Sequence, residues 1–273
     1  MQGSAKERVV AELRARIAGV ERRAPLAGTA ERERDGAALP FRHAPPGLLH
    51  EIWSASAREA GGALGFALGQ GRRLIGRARQ AVLFLQLAHE AQETGLPYGA
   101  GLKSFGFDPQ ALTLGRPRDI GELLWAIEEA VACRAVAAVV ADIGGAPRAL
   151  DFTASRRLSL RAQASGGSVF LVRYGAQREA SAAALRWRVE PAPSAPVRFD
   201  DRAPGDARLK VVLEKSLSAR GVGGLKGEWI LNWTEAHGWD LADGDQGAGR
   251  AVAGAPAYGA PPAALGDRLS QAG

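Results

Sequence analysis

Ala135-Val-Ala-Ala-Val-Val-Ala141 is a continuous run of small and β-branched apolar residues, and Asp142 follows it directly. A half-exposed strand alternates apolar and polar residues, whereas an unbroken run is typical of a parallel-sheet strand that is covered on both faces. Helical patterns flank the run, at 119–134 before it and at 148–165 after it. The run therefore predicts a central strand of a wound α/β sheet.

The helix predicted at 119–134 has the clearest start in the chain. Asp119 is an N-cap residue, and Glu122 three positions later completes a capping-box pattern. Other elements alternate around this helix. Strands are predicted at 47–53, 81–85, 112–114 and 169–172, and a small-residue helix is predicted at 57–70. Such alternation implies parallel strands joined by right-handed crossovers.

The later part of the chain follows a different pattern. Residues 184–189 alternate between apolar and polar positions, and the apolar stretches 208–213 and 228–233 flank a glycine-rich segment at 220–227. These features predict antiparallel strands added to the parallel sheet. Residues 241–273 are rich in Gly, Ala and Pro, and we expect them to form a disordered tail.

The N-terminal segment predicts a separate amphipathic helix at 4–23. Val9, Leu13 and Ile17 form its apolar stripe, and a Pro- and Gly-containing linker follows. The helix either docks on a partner or folds back on its own core, because a single helix cannot bury its stripe alone. The predicted organisation is helix and linker at 1–46, core at 47–240 and tail at 241–273.

Composition excludes several classes of protein. Of the 273 residues, 46% are hydrophobic, which supports a sizeable core, and the single Cys133, predicted to be buried in a helix, excludes a disulfide scaffold and a cysteine-based zinc site. No apolar run reaches the roughly 18 residues of a membrane span, and no signal core opens the chain. We therefore expect a cytoplasmic protein that does not insert into membranes.

Nucleotide chemistry has no sequence support. A phosphate-binding loop after the first strand would read G-x-x-x-x-G-K-[ST], but this chain has Ser54-Ala-Ser-Ala-Arg-Glu-Ala-Gly61 and contains no Gly-Lys pair. Asp142 occupies the position of a magnesium-holding acidic residue, yet no phosphate loop stands opposite it. His89 and Glu90 are the best-placed acid/base pair, with an ordinary polar loop as the alternative. We predict no catalytic residue, cofactor or metal.

Arginine accounts for almost all of the basic excess, and the formal net charge is +6. Two interpretations remain open: contact with DNA phosphates, or a solvated rim around the sheet. The candidates for DNA contact are Arg156, Arg157, Arg173, Arg178, Arg186 and Arg188, with Tyr174 and Trp187 interleaved.

Several stretches together resemble the bacterial ImuA family. They are Gly47-Leu-Leu-His-Glu-Ile52, Glu93-Thr-Gly95 with Tyr98-Gly99, Leu124-Trp-Ala-Ile-Glu-Glu-Ala130, Arg148–Leu158, Arg186-Trp-Arg-Val189 with Pro193-Ser-Ala-Pro196, and Gly227-Glu-Trp229. The resemblance implies a RecA-like fold. We therefore expect a mostly parallel twisted sheet flanked by helices, with antiparallel strands at the C-terminal end and an N-terminal helix on a linker.

The resemblance also implies a function. ImuA proteins resemble RecA without its phosphate loop. The resemblance therefore implies a non-catalytic accessory role in damage-inducible, error-prone translesion DNA synthesis. It also implies a cytoplasmic protein associated with the nucleoid. The implied partners are an inactive Y-family polymerase-like protein (ImuB), an error-prone C-family DNA polymerase and RecA. Val9, Leu13 and Ile17 would dock on a RecA-fold neighbour, and Lys215 matches a lysine with which RecA reaches a neighbour's ATP.

Three rival functions remain open at the level of sequence. They are an ATP-dependent RecA-like recombinase, a stand-alone single-strand DNA-binding protein and a SulA-like cell-division inhibitor. The missing Gly-Lys-[ST] argues against the recombinase, and the long core with its added strands argues against the shorter SulA-like chains.

Overall fold

A computed structural model describes residues 39–175, 178–195, 203–216, 226–234 and 238–242. The predicted N-terminal helix with its stripe of Val9, Leu13 and Ile17 lies outside these residues, as does the predicted tail from residue 243 onward. Within the described ranges, no helix has the length and apolarity that a membrane crossing requires.

One nine-stranded sheet organises the described part of the chain. The strands are β1 (Leu49–Trp53), β2 (Ala81–Gln86), β3 (Leu112–Gly115), β4 (Val136–Gly144), β5 (Ser168–Tyr174), β6 (Leu185–Ala192), β7 (Arg208–Ser216), β8 (Gly227–Thr234) and β9 (Gly238–Leu241). Their order is β3-β2-β4-β5-β1-β6-β7-β8-β9. The first six strands in this order, from β3 through β2, β4, β5 and β1 to β6, pair in parallel. The last four, from β6 to β9, pair antiparallel.

The helices are α1 (Pro40–His43), α2 (Ala60–Arg73), α3 (Ala88–Thr94), α4 (Gly99–Ser104), α5 (Ile120–Ala132) and α6 (Phe152–Ser165). Helix α2 packs on one face of the sheet, with Phe66 beside Trp187, and helices α5 and α6 pack on the other face through Leu123 and Leu158. Strand β4 lies between the two layers and is buried from Ala137 to Ile143. The fold is therefore α/β with a mostly parallel mixed sheet, which is consistent with a RecA-like fold.

Local capping signals position the helices of the second layer. The Asp119 side chain accepts a hydrogen bond from the Glu122 amide at 2.9 Å, and the Glu122 carboxylate accepts one from the Arg118 amide at 2.8 Å. Helix α6 begins at Phe152, later than the predicted residue 148, because the side chain of Asp151 caps it by accepting from the Ala154 amide. Gly166 ends it in the left-handed region, as predicted.

Three sequence-based expectations need correction or extension. Strand β9 was not predicted, although its Trp239 is buried against α2 and donates to the Gly65 carbonyl at 3.0 Å. Within the predicted linker, α1 carries the fully buried Phe41, whose ring lies 5.6 Å from that of Trp229. Cys133 is exposed rather than buried, because it follows the last turn of α5 as its C-cap.

Candidate functional site

The turn after β1 lies where a parallel sheet would bind a phosphate. The Ala55 amide, which would face a ligand in a phosphate-binding turn, donates instead to the Glu59 carboxylate at 3.2 Å. The Ser54 amide is bonded to the Arg173 carbonyl at 3.0 Å. A carboxylate of the chain itself therefore occupies this turn, and its negative charge disfavours a second anion there.

A cluster of polar side chains lies at the carboxyl ends of β2 and β4, and we call it the edge cluster. It consists of Gln86, Glu90, Asp142 and Tyr174. The sheet register places Gln86 directly beside Asp142, and the Gln86 Nε2 atom donates to Asp142 Oδ2 at 2.9 Å. The same amide nitrogen lies 2.8 Å from Thr94 Oγ1, so the cluster contacts α3. Sequence reasoning identified Asp142 but not its contact with Gln86.

The residues His89 and Glu90 lie on α3 and separate in space. The imidazole of His89 is exposed, whereas Glu90 faces the edge cluster and its Oε1 atom accepts from the Gly144 amide at 3.1 Å. A substituent at Gly144 would meet this oxygen, since a Cβ there would lie 2.9 Å from it. The two residues therefore do not form the acid/base pair that the sequence suggested.

Burial and mutual repulsion change the proton affinity of the edge cluster. Burial, followed by the charge of Glu90, raises the pKa of Asp142 to about 6, while hydrogen bonds from Gln86 and Tyr174 oppose the shift. Burial also raises the pKa of Glu90, although the Gly144 amide opposes the change. The pKa of Tyr174 is raised by burial and by Asp142, which keeps its hydroxyl protonated.

A second polar cluster is buried between β1, β6 and the segment before β6. Glu51 is 2% exposed, and its Oε2 atom accepts from Arg186 Nη2 at 2.8 Å and from Ser181 Oγ at 2.6 Å. Lys215 donates to the Ser181 carbonyl at 2.8 Å. Burial and the charge of Arg186 lower the pKa of Lys215. These contacts hold the segment around Ser181 against the sheet.

The structure gives Lys215 a role inside its own chain, whereas the resemblance had suggested contact with a neighbour's nucleotide. Sequence reasoning did not identify Glu51 at all. The available signal was a carboxylate within the mostly apolar 48–53 stretch. The structure supplies its partner, because the register places Glu51 beside Arg186 of β6. A buried charge in a central strand needs a partner of opposite sign.

Arg173 is 1% exposed, and its guanidinium lies 4.8 Å from the centroid of the Trp53 ring. Its Nη2 atom donates to the Gly145 carbonyl at 3.2 Å, and burial lowers its pKa. Arg186 is held by the hydrogen bond that it donates to the Glu51 carboxylate. Burial removes Arg173 from the surface that DNA phosphates could reach, whereas the side chain of Arg186 is 15% exposed and already pairs with Glu51. DNA contact stays a prediction for Arg186 and for the other four arginines.

These four arginines form two separate groups. Arg156 and Arg157 lie on the exposed side of α6, and Arg157 pairs with Glu128 of α5 at 2.9 Å. Arg178 and Arg188 lie near β7, where both pair with Glu214, at 2.8 and 3.4 Å. The structure does not bring the predicted DNA-contacting residues into one tract, and DNA binding stays a prediction.

His50 of β1 has a structural role. It is 2% exposed, and its Nδ1 atom accepts from Trp187 Nε1 at 3.4 Å. Burial lowers its pKa to about 3, so the imidazole is neutral over the physiological range.

Comparison with known proteins identifies the family. The chain is 35% identical over 234 residues to Protein ImuA of Caulobacter vibrioides (strain NA1000 / CB15N), an alignment that covers 81% of this chain and 89% of the relative. Protein ImuA of a second strain of the same species (ATCC 19089 / CIP 103742 / CB 15) gives the same identity and coverage. A scan against models of protein families finds no match. With this identity over most of both chains, the resemblance noted in the sequence is confirmed, and the chain belongs to the ImuA family.

Proposed function

We propose that this chain is a non-catalytic accessory protein of damage-inducible, error-prone translesion DNA synthesis. Its membership of the ImuA family supports the role in damage-induced mutagenesis. The observation that carries the non-catalytic part is the bond between the Ala55 amide and the Glu59 carboxylate, which fills the turn where a nucleotide phosphate would bind. The chain therefore acts by binding other proteins, without nucleotide turnover.

The surface of the α5–α6 layer supports binding to other proteins. Trp125 of α5 is 64% exposed, whereas the other five tryptophans of the chain are buried. Leu160 of α6 is also about half exposed. Tryptophan and arginine dominate the binding energy of protein interfaces, and Arg157 and Arg161 lie in the same layer. Both arginines pair with glutamates of α5, so this layer presents charges of both signs. Such a surface suits a protein partner better than the uniformly negative phosphate backbone of DNA.

The expected partners are the inactive Y-family polymerase-like protein, the error-prone C-family polymerase and RecA. Trp125 is the contact proposed from the described residues, and the predicted N-terminal stripe with Leu13 is a second, independent contact. The experiment is a pull-down of each purified partner with the full chain, with and without ATP. We expect at least one partner to be retained equally in both conditions.

Trp125→Ala and Leu13→Asp should each weaken that retention at least about tenfold, as expected for loss of an interface anchor. Tyr98→Ala is the matched control, since Tyr98 is 77% exposed but lies between α3 and α4. This variant should bind as the parent does. Retention that requires ATP would contradict the proposal, and so would unchanged binding of every partner by both interface variants.

A further inference from the structure

Three buried oxygen atoms of the edge cluster have no hydrogen-bond partner. They are Gln86 Oε1, Glu90 Oε2 and Asp142 Oδ1, contributed by the end of β2, by α3 and by β4. The side chains of Gln86 and Asp142 are 2% and 6% exposed. Buried acceptors are nearly always paired, because desolvation without a partner is costly. Three such atoms in one cluster call for a common ligand.

The other polar atom of each group is already held in place. Glu90 Oε1 accepts from the Gly144 amide, Asp142 Oδ2 accepts from the Gln86 amide, and that amide nitrogen also lies against Thr94 Oγ1. Groups with one atom fixed by hydrogen bonds and one oxygen left over have the arrangement of metal ligands oriented by their surroundings. The charge of the site also suits a cation, since two carboxylates face each other with Tyr174 beside them.

We propose that Gln86, Glu90 and Asp142 bind one divalent cation of the Mg²⁺ or Mn²⁺ class, in the absence of nucleotide. Carboxylate and amide oxygens are the ligands that these cations prefer. No three His, Cys, Asp or Glu side chains of the described ranges form a metal-binding group. The proposed site has two carboxylates, and its third oxygen is the unpaired amide oxygen of Gln86. This amide replaces the phosphate oxygen that completes magnesium coordination in nucleotide-binding sheets.

The cation would join α3 to the ends of β2 and β4, and its role is structural. It would neutralise the repulsion between Glu90 and Asp142 and satisfy all three unpaired oxygens. The proposal does not depend on the accessory function, because it requires no partner protein.

The experiment is a titration of the full chain with MnCl₂ in nucleotide-free buffer, followed by the electron paramagnetic resonance signal of free Mn²⁺. We expect one bound ion per chain with a dissociation constant of roughly 1 mM or lower, as for sites with few charged ligands. Asp142→Asn and Glu90→Gln should each weaken binding at least about tenfold. Glu93→Gln, which changes an exposed carboxylate of the same helix, should weaken binding far less, because the charge of Glu93 acts on Glu90 without a bond to it.

Thermal unfolding provides a second measurement that separates lost binding from lost folding. Mn²⁺ should raise the Tm of the parent protein and leave that of Asp142→Asn unchanged, while the variant without metal should melt at or above the parent. Absence of saturable binding would overturn the proposal. Binding that survives both Asp142→Asn and Glu90→Gln would also overturn it, as would equal loss in Glu93→Gln.

Discussion

Several charged residues of this protein bind groups of their own chain. Lys215, expected at a neighbour's nucleotide, donates to the Ser181 carbonyl of its own chain. Glu59 binds the Ala55 amide in a turn that would otherwise receive a phosphate. Glu51 and Arg186 form a buried ion pair, and removal of one partner would leave an uncompensated charge at a cost of about 3–5 kcal/mol. These residues stabilise the chain itself.

Asp142→Asn should increase the stability of the metal-free protein at neutral pH. Asp142 has a pKa of about 6 in the folded protein, against an ordinary value of 3.8. The folded state therefore binds this proton more tightly than the unfolded state, and stability falls as the pH rises from about 4 to 6. The asparagine avoids this loss, so the variant should be more stable than the parent by about 3 kcal/mol at pH 7.5, and this difference should disappear near pH 4.

The measurement is urea unfolding of both proteins across this range, in buffer containing a chelator. Glu129→Gln, which changes an exposed carboxylate of α5 away from the edge cluster, is the control and should follow the parent at every pH. An asparagine variant less stable than the parent at pH 7.5 would contradict the destabilisation of the Asp142 carboxylate by burial and by the charge of Glu90.

Elements with local signals were predicted well, and elements that depend on distant contacts were not. The cap Asp119, which the sequence identified, specifies the start of α5 through a bond to the amide three residues later. Asp151 does the same for α6 but was not identified, and the predicted start at 148 was four residues early. The apolar run at 135–141 predicted β4 because both of its faces are covered. Strand β9 is short, however, and pairs only with β8, so its four residues carry too little pattern to be recognised. Helices α3 and α4 are likewise short and only partly buried.

Gly69→Ala tests the packing of β9 on α2. A Cβ at Gly69 would lie 2.5 Å from Trp239 Cδ1, so the substitution should displace the indole and destabilise the protein by about 1–3 kcal/mol. Gly61→Ala is the matched control in the same helix, because a Cβ at Gly61 meets nothing within 4 Å. The control should be neutral or stabilising by up to about 1 kcal/mol. Urea unfolding measures both, and equal effects would contradict the close contact.

The candidate site could be predicted only in part, because its contacts depend on the register between strands that are distant in the sequence. The sequence placed Asp142 at the end of a strand, because an apolar run precedes it, and Gln86 directly follows the strand predicted at 81–85. Their hydrogen bond depends on the alignment of β2 with β4, between residues 56 positions apart. The pairing of Glu51 with Arg186 spans 135 positions. Sequence periodicity carries no information on such alignments, and the structure was needed to identify both clusters.

At the scale of the whole molecule, a sheet of nucleotide-binding architecture carries no open phosphate turn in its described residues. At the carboxyl ends of its parallel strands lie two features: the turn after β1, where Glu59 accepts from the Ala55 amide, and the edge cluster around Asp142. Its α5–α6 layer exposes Trp125, the feature of the described surface best suited to protein contact. The proposed function, protein binding without ATP turnover, rests on these features of the described surface and of the turn after β1.

Calorimetric titration of the full chain with Mg²⁺-ATP, combined with a phosphate-release assay, tests this claim most directly. We predict no saturable heat of nucleotide binding at millimolar ATP and no phosphate release above the uncatalysed rate, with or without single-stranded DNA. Saturable binding of Mg²⁺-ATP followed by turnover would contradict the account, above all if Glu59→Ala, which opens the turn, strengthened it.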